Sequence, residues 1–312
     1  MDEMPYESPA PRHVSPEPKP RRWGLIILWI AVGAVLLAAL AGGLWLWLAT
    51  GEPEEPTPPF SPEVEEVTPT LPPPNTVMVT IPEGKTVREI AALMEEKGVC
   101  AAADFLEAVQ TGDFSDYAFL TEGVAEDGRV YRLEGYLYPD TYEFYKNSSG
   151  SATVRRFLDN FARKYETFKK ALGESGLSLN EAVTLASIVQ WEAGRAVDMP
   201  RVSRVLHNRL DSPHYPRLQC DAATRYVRAL EAAEVSFNRD LYDTYVCRGL
   251  PVAAINNPGL DAIQAAIAPS EEEICAGCYF FVTDEANNTV YYSKTYAQHL
   301  AAWDAIQNGR EP

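Results

Sequence analysis

The chain has 312 residues, 46% of them hydrophobic and 23% charged, and a formal net charge of −17. That apolar share excludes wholesale disorder, and the acidic excess excludes a nucleic-acid binder, which needs a basic footprint. The length suits one large domain or two modest ones.

Residues 1–22 carry four acids and four bases, and residues 23–49 carry no charged side chain, so the whole excess lies after residue 49. The uncharged run WGLIILWIAVGAVLLAALAGGLWLWLA predicts a transmembrane helix over 23–49. About 20 apolar helical residues cross a bilayer core of roughly 30 Å. Trp23, Trp45 and Trp47 stand where interfacial aromatic belts form. The run is too long for a signal peptide, and no small-residue cleavage site follows it. Lys19, Arg21 and Arg22 precede the run, and Glu52, Glu54 and Glu55 follow it. The positive-inside rule then places residues 1–22 in the cytoplasm and everything after 49 outside the cell membrane. Residues 51–74 hold nine prolines and six Glu, which predicts an extended linker over 50–75. At about 3.1 Å per residue it would reach roughly 70 Å.

Ordered sequence begins near Thr76. Val77, Val79 and Ile81 alternate as in a short strand, and Pro82-Glu83-Gly84 marks a turn. Thr86 and Glu89 fit a capping box, Ile90, Leu93 and Met94 mark one helix face, and Gly98 fits a stop. A second helix is expected over Ala102 to Val109. A strand followed by two helices resembles a LysM-like glycan-binding element, here assigned to 76–125, though a small α/β linker would look the same.

Ser178 and Glu181 fit another capping box, and Gly194 a helix end. Glu192 falls seven residues after Leu185, four after Ile188 and three after Val189, which puts it on the apolar face of its helix. Gln190 and Glu181 point elsewhere. A carboxylate there either escapes to solvent beside Arg195 or sits at the floor of an apolar-walled cleft. In the second case desolvation keeps it protonated near neutral pH, as a general acid at a glycosidic oxygen must be.

Polar and aromatic clusters in turn-rich stretches surround this helix. In order they read LEGYLYPDTYEF, LASIVQWEAG, VLHNRL, LQCDAA, YDTYVCRGLP and INNPGLDAIQAA. These strings resemble the successive signatures of the MltG, or YceG-like, endolytic murein transglycosylases, over roughly residues 77–305. The resemblance implies cleavage of the β-1,4 bond between N-acetylmuramic acid and N-acetylglucosamine without water. It leaves 1,6-anhydromuramic ends and terminates nascent glycan strands near the membrane. It also implies peptidoglycan strands as substrate and peptidoglycan synthases as partners.

The family's catalytic acid is the second carboxylate of a SIVEKE motif, which is Glu192 in SIVQWE. Its first Glu is Gln190 here. Positions two apart face different directions on a helix, so this departure spares the acid. Many relatives also have a second LysM-like repeat where this chain shows one. A lytic transglycosylase needs only one carboxyl, because the substrate's C6 hydroxyl attacks the anomeric carbon. Gln219 and Asp221 are read as substrate-positioning groups, with Asn208, Tyr245 and Asn257 as further cleft residues. Asp140, after a proline, reads as a turn residue.

The four histidines, at 13, 207, 214 and 299, lack metal-ligand spacing, and no metal or cofactor is expected. His299 matches a C-terminal histidine common in the family. Five cysteines follow the membrane helix. Cys275-Ala-Gly-Cys278 fits a disulfide, a redox pair or half a zinc site. Cys220 and Cys247 both stand in motifs that the resemblance puts at the active site, so a disulfide bracing the cleft is an open pairing.

The expected fold is α+β, a single transmembrane helix followed by the LysM-like element and a mixed α/β YceG-like catalytic domain over 126–312. Two rivals differ in class. One is a non-catalytic, membrane-tethered peptidoglycan-binding scaffold. The other is a hydrolytic muramidase, which needs a second carboxylate such as Asp221 or Asp140 about 5–5.5 Å from the first.

Overall fold

The computed structural model describes residues 75–123 and 128–312. The expected tail, transmembrane helix and nearly all of the linker lie outside those residues. Among the described residues no helix is long and apolar enough to cross a membrane.

The first strand, β1 (Thr76–Thr80), turns its odd-numbered residues inward, with Val79 buried. The turn at Gly84 leads to α1 (Val87–Glu96), whose capping box of Thr86 and Glu89 forms as expected. Ile90 and Met94 are buried, as their spacing predicts. Helices α2 (Ala102–Thr111) and α3 (Ala118–Gly123) follow. A turn-rich stretch then feeds β2 (Thr141–Tyr145), which pairs antiparallel with β1, Val79 opposite Tyr142 and Val77 opposite Phe144. This pairing joins residues on both sides of the boundary expected between 125 and 126.

Helix α4 (Gly150–Ser175) buries Val154, Phe157, Leu158, Phe161 and Phe168 at helical spacing. These rings pack on Phe105, Phe119, Tyr136 and Tyr142. Next comes α5 (Leu179–Glu192), capped by Ser178 and Glu181 as expected. Every residue from Ala182 to Val189 is buried. The helix therefore has no solvent face along this stretch, and the apolar stripe read for it is an apolar cylinder. Val183, Leu185, Ile188 and Val189 alone gain about 8 kcal/mol gross from burial, before chain entropy is set against it.

Helices α6 (Met199–Leu210), α7 (Asp221–Ala232) and α8 (Leu260–Ile267) pack around α5. Gly135 shows how close the turn-rich stretch comes. Its φ is +95°, and a Cβ there would lie 2.6 Å from Val183 and 2.7 Å from Ala254. The chain ends in an antiparallel hairpin, β3 (Phe280–Asp284) and β4 (Thr289–Ser293), and helix α9 (Tyr296–Gln307). Helix α9 buries only Ala302. The described residues form a mixed α+β fold with two small two-stranded sheets.

Candidate active site

Glu192 is the last residue of α5. The helix stops because Ala193 turns extended, with φ −88° and ψ 116°. The expected glycine stop is not used, since Gly194 is not left-handed. Oε1 of Glu192 accepts a 2.9 Å hydrogen bond from the backbone N–H of Ala222 in the first turn of α7. That helix has no side-chain cap of its own, as Cys220 stands at its N-cap. Glu192 thus caps a neighbouring helix from the end of its own.

Two opposing influences act on this carboxyl. Desolvation pushes its pKa up, and the charge of Asp221 pushes the same way, while the Ala222 N–H and Arg225 pull it down. Desolvation wins and the net shift is upward. Glu192 therefore holds a proton at a higher pH than an exposed glutamate does.

A cavity of about 460 Å³ opens over Glu192 and is lined also by Gln219, Asp221, Tyr245 and Arg209. Gln219 sits in left-handed backbone, φ +54°, which is costly for a side chain of this kind. Its backbone N–H donates to Thr244 O at 3.0 Å, and its Oε1 accepts from Arg209. The Thr244 hydroxyl accepts from Cys220 N and donates to Cys220 O, clasping the segments around 220 and 244 together. Asp221 accepts from the Tyr245 hydroxyl at 2.9 Å. Burial and Asp221 push the Tyr245 pKa up to about 12, so it stays a donor. Gln219, Asp221 and Tyr245 are thereby brought together with Glu192, and Asp221 is the other carboxylate among the described residues lining this cavity.

The remaining sequence candidates do not line it. Asn257 is 0% exposed and every bond it makes is internal. Its Oδ1 accepts from Gly135 N at 3.0 Å and Leu137 N at 2.8 Å, and its Nδ2 donates to Lys85 O and Glu134. Asn208 donates to the carbonyls of Cys275 and Cys278 and so ties down that turn. Asp140 accepts from Thr141 N and Asn160 beside β2. Gln190 accepts from Gly259 N at 2.9 Å, just ahead of α8.

All five cysteines are free thiols. The bracing disulfide between Cys220 and Cys247 is not formed, and the Thr244 clasp does that work instead. Sγ of Cys275 and Sγ of Cys278 donate to different carbonyls, those of Glu272 and Ile274. Among the described residues no three His, Cys, Asp or Glu side chains converge as a metal site.

Apart from His299, the residues of the cavity's far wall carried no motif in the sequence. It comes from Tyr279 and Phe280 on the hairpin and from Tyr296, His299 and Trp303 on α9. Tyr296 is 58% exposed and Trp303 51%, and both face the cavity. His299 stacks on Phe280, with centroids 5.5 Å apart at 26°. Burial and the charge of Arg209 pull the His299 pKa down, so it is neutral at neutral pH. Arg209, buried in α6, donates to Arg217 O, Tyr279 O and Gln219, joining the wall to the floor. The i, i+3, i+7 spacing of Tyr296, His299 and Trp303 was a readable signal of one helix face.

The arrangement offers one desolvated carboxyl, an ordered amide, a carboxylate held by a tyrosine, and a half-exposed aromatic wall. Residues 62–305 match the YceG-like family. An endolytic murein transglycosylase of Streptococcus pneumoniae (strain D39) is 28% identical over 244 residues, which cover 71% of this chain and 43% of that protein. One of Bacillus subtilis (strain 168) is 27% identical over 239 residues, covering 72% of this chain and 63% of that protein. The chain thus spans about half the length of the curated relatives it matches. A crystal structure of a yceG-like protein from Listeria monocytogenes superposes with a TM-score of 0.60 at 27% identity, over 72% of this chain and 75% of that one.

Proposed function

Because this chain belongs to the YceG-like family, we propose that it is an endolytic lytic transglycosylase of peptidoglycan. Its reaction cleaves the bond between N-acetylmuramic acid and N-acetylglucosamine inside nascent strands and leaves 1,6-anhydromuramic ends. Protonated Glu192 gives its proton to the leaving glycosidic oxygen. The C6 hydroxyl of the muramyl unit attacks the anomeric carbon, and the Glu192 carboxylate takes up the hydroxyl proton. Proton count and charge balance with no water consumed. The observation that carries this reading is the single desolvated carboxyl at the cavity floor, whose pKa is raised by burial.

The surroundings support the same chemistry. Sugar faces stack on Trp303 and Tyr296, while Gln219 and Asp221 hold hydroxyl or acetamido groups. Asp221 is exposed and engaged by Tyr245, which suits positioning better than nucleophilic attack. That favours transglycosylation over a hydrolytic muramidase. We read β1, α1 and α2, within residues 76–125, as the LysM-like element that holds the strand, and residues 23–49 as a single-pass anchor with the folded part outside. Peptidoglycan synthases are the expected partners.

The test is digestion of peptidoglycan by the wild type and Glu192→Gln, with products identified by mass spectrometry. Anhydromuropeptides that disappear in the variant are the expected result. Undiminished anhydro products would refute the role of Glu192. Reducing-end products would favour the muramidase, and binding without any product the scaffold.

A further inference from the structure

A second cavity, of about 530 Å³, shares Glu192 and Asp221 with the first and is otherwise lined by α7 and Trp191. Helix α7 brings Arg225 and Arg228, both exposed and three residues apart, to this cavity. The Arg225 guanidinium lies over the Trp191 ring, 3.8 Å from its centroid. Trp191 is itself fixed, since its Nε1 donates to Gly84 O at 2.9 Å. Gly84 has φ +75°, and a Cβ there would come within 2.8 Å of the indole nitrogen. The platform also borders a larger cavity, of about 750 Å³, that reaches the start of α1.

Charge makes this shelf unusual in an acidic chain of net −17. Twelve ion pairs form among the described residues, and neither Arg225 nor Arg228 takes part in one. Arg225 acts on the nearby Glu192 carboxyl through its charge, but with no ion pair formed, the two neighbouring guanidinium groups, one pre-oriented by stacking, are equipped for carboxylates from outside the protein. Their separation along the helix is about 4.5 Å, from a rise of 1.5 Å per residue. Two separate cations on one helix can engage two carboxylates of one peptide at once, whereas a single lactyl carboxylate offers only one group.

We propose that Trp191, Arg225 and Arg228 form a subsite for the carboxylates of the stem peptide carried by the muramyl unit at the scissile bond. The inference rests on the transglycosylase reading for the identity of the strand. It adds that the enzyme distinguishes strands by the charge of their peptides.

The test is calorimetric binding by the full-length chain carrying Glu192→Gln, so that strands bind and stay intact. Three glycan preparations serve as probes: peptide-bearing with free carboxylates, peptide-bearing with those carboxylates amidated, and peptide-stripped. Adding Arg225→Gln and Arg228→Gln is expected to weaken binding of the first about tenfold and of the other two less than twofold. The corresponding Lys pair is expected to recover most of the loss. Equal weakening of all three, loss confined to stripped strands, or no loss overturns the proposal. If the Gln pair lowers the thermal midpoint, Arg228→Gln alone is expected to give about a threefold selective loss, and its absence overturns the proposal too. Product analysis with the wild type tests the transglycosylase reading separately. Selective binding without anhydro products would leave the subsite standing and remove the enzyme.

Discussion

Asn257→Ala is predicted to unfold the protein far more than it impairs substrate contact. The side chain bridges three segments, accepting from Gly135 N and Leu137 N and donating to Lys85 O and Glu134. Lys85 O keeps a second donor, the backbone N–H of Asn257, and Glu134 Oε1 keeps Val87 N. The two N–H groups of residues 135 and 137 lose their acceptor. At about 1–3 kcal/mol for each buried orphan, the cost is about 4 kcal/mol. That is a large part of an ordinary domain stability of about 5–15 kcal/mol. Urea unfolding followed by far-UV circular dichroism measures it directly, and a fall in thermal midpoint of about 10 °C should accompany it. A loss under about 1 kcal/mol together with a large rise in KM would refute the reasoning and return Asn257 to the cleft.

Glu134 is fully buried, and desolvation raises its pKa from 4.5 to about 8. The folded protein then holds a proton that the unfolded chain releases, so stability falls as pH rises from about 4.5 towards about 8. Glu134→Gln keeps the shape and should flatten that fall, read as thermal midpoints at pH 5 and pH 8; an unchanged slope would refute it. Asp221 raises the Glu192 pKa and Arg225 lowers it. The alkaline limb of the kcat/KM profile should therefore move to lower pH in Asp221→Asn and to higher pH in Arg225→Gln, and shifts of the same sign would contradict the assignment of Glu192 as the acid. Trp303→Ala removes a half-exposed ring from the cavity wall and should raise KM about five- to tenfold with little change in thermal midpoint. An unchanged KM would remove the wall from the binding site.

Local signals were legible in the sequence because their partners are local. The capping boxes at Thr86 and Ser178 need a glutamate three residues on, and both form as read. Glu192 was found by helical spacing, although the stripe that located it belongs to a helix buried all round. Gln219, Asp221 and Tyr245 line the same cavity as Glu192. Asn208 and Asn257 do not line it, and an amide in a turn-rich motif looks the same whether it serves a ligand or a loop's backbone. Partners of Asn257 at positions 85, 134, 135 and 137 are over 100 residues away in sequence. The pairing of β1 with β2 across some 60 residues was hidden for the same reason. The aromatic wall was missed because it comes from the far end of the chain and only tertiary packing brings it opposite Glu192.

The contrast between α5 and α9 bears on how a polymer reaches the acid. Helix α5 is enclosed from Ala182 to Val189, whereas α9 buries Ala302 alone. Amide hydrogens of α5 should be among the last to exchange with solvent and those of α9 among the first. If so, the cleft combines a firmly packed floor with a lightly packed wall. On the proposed function, local opening of that wall would let a long strand be laid in sideways without threading from an end, the route that cutting within a strand would need.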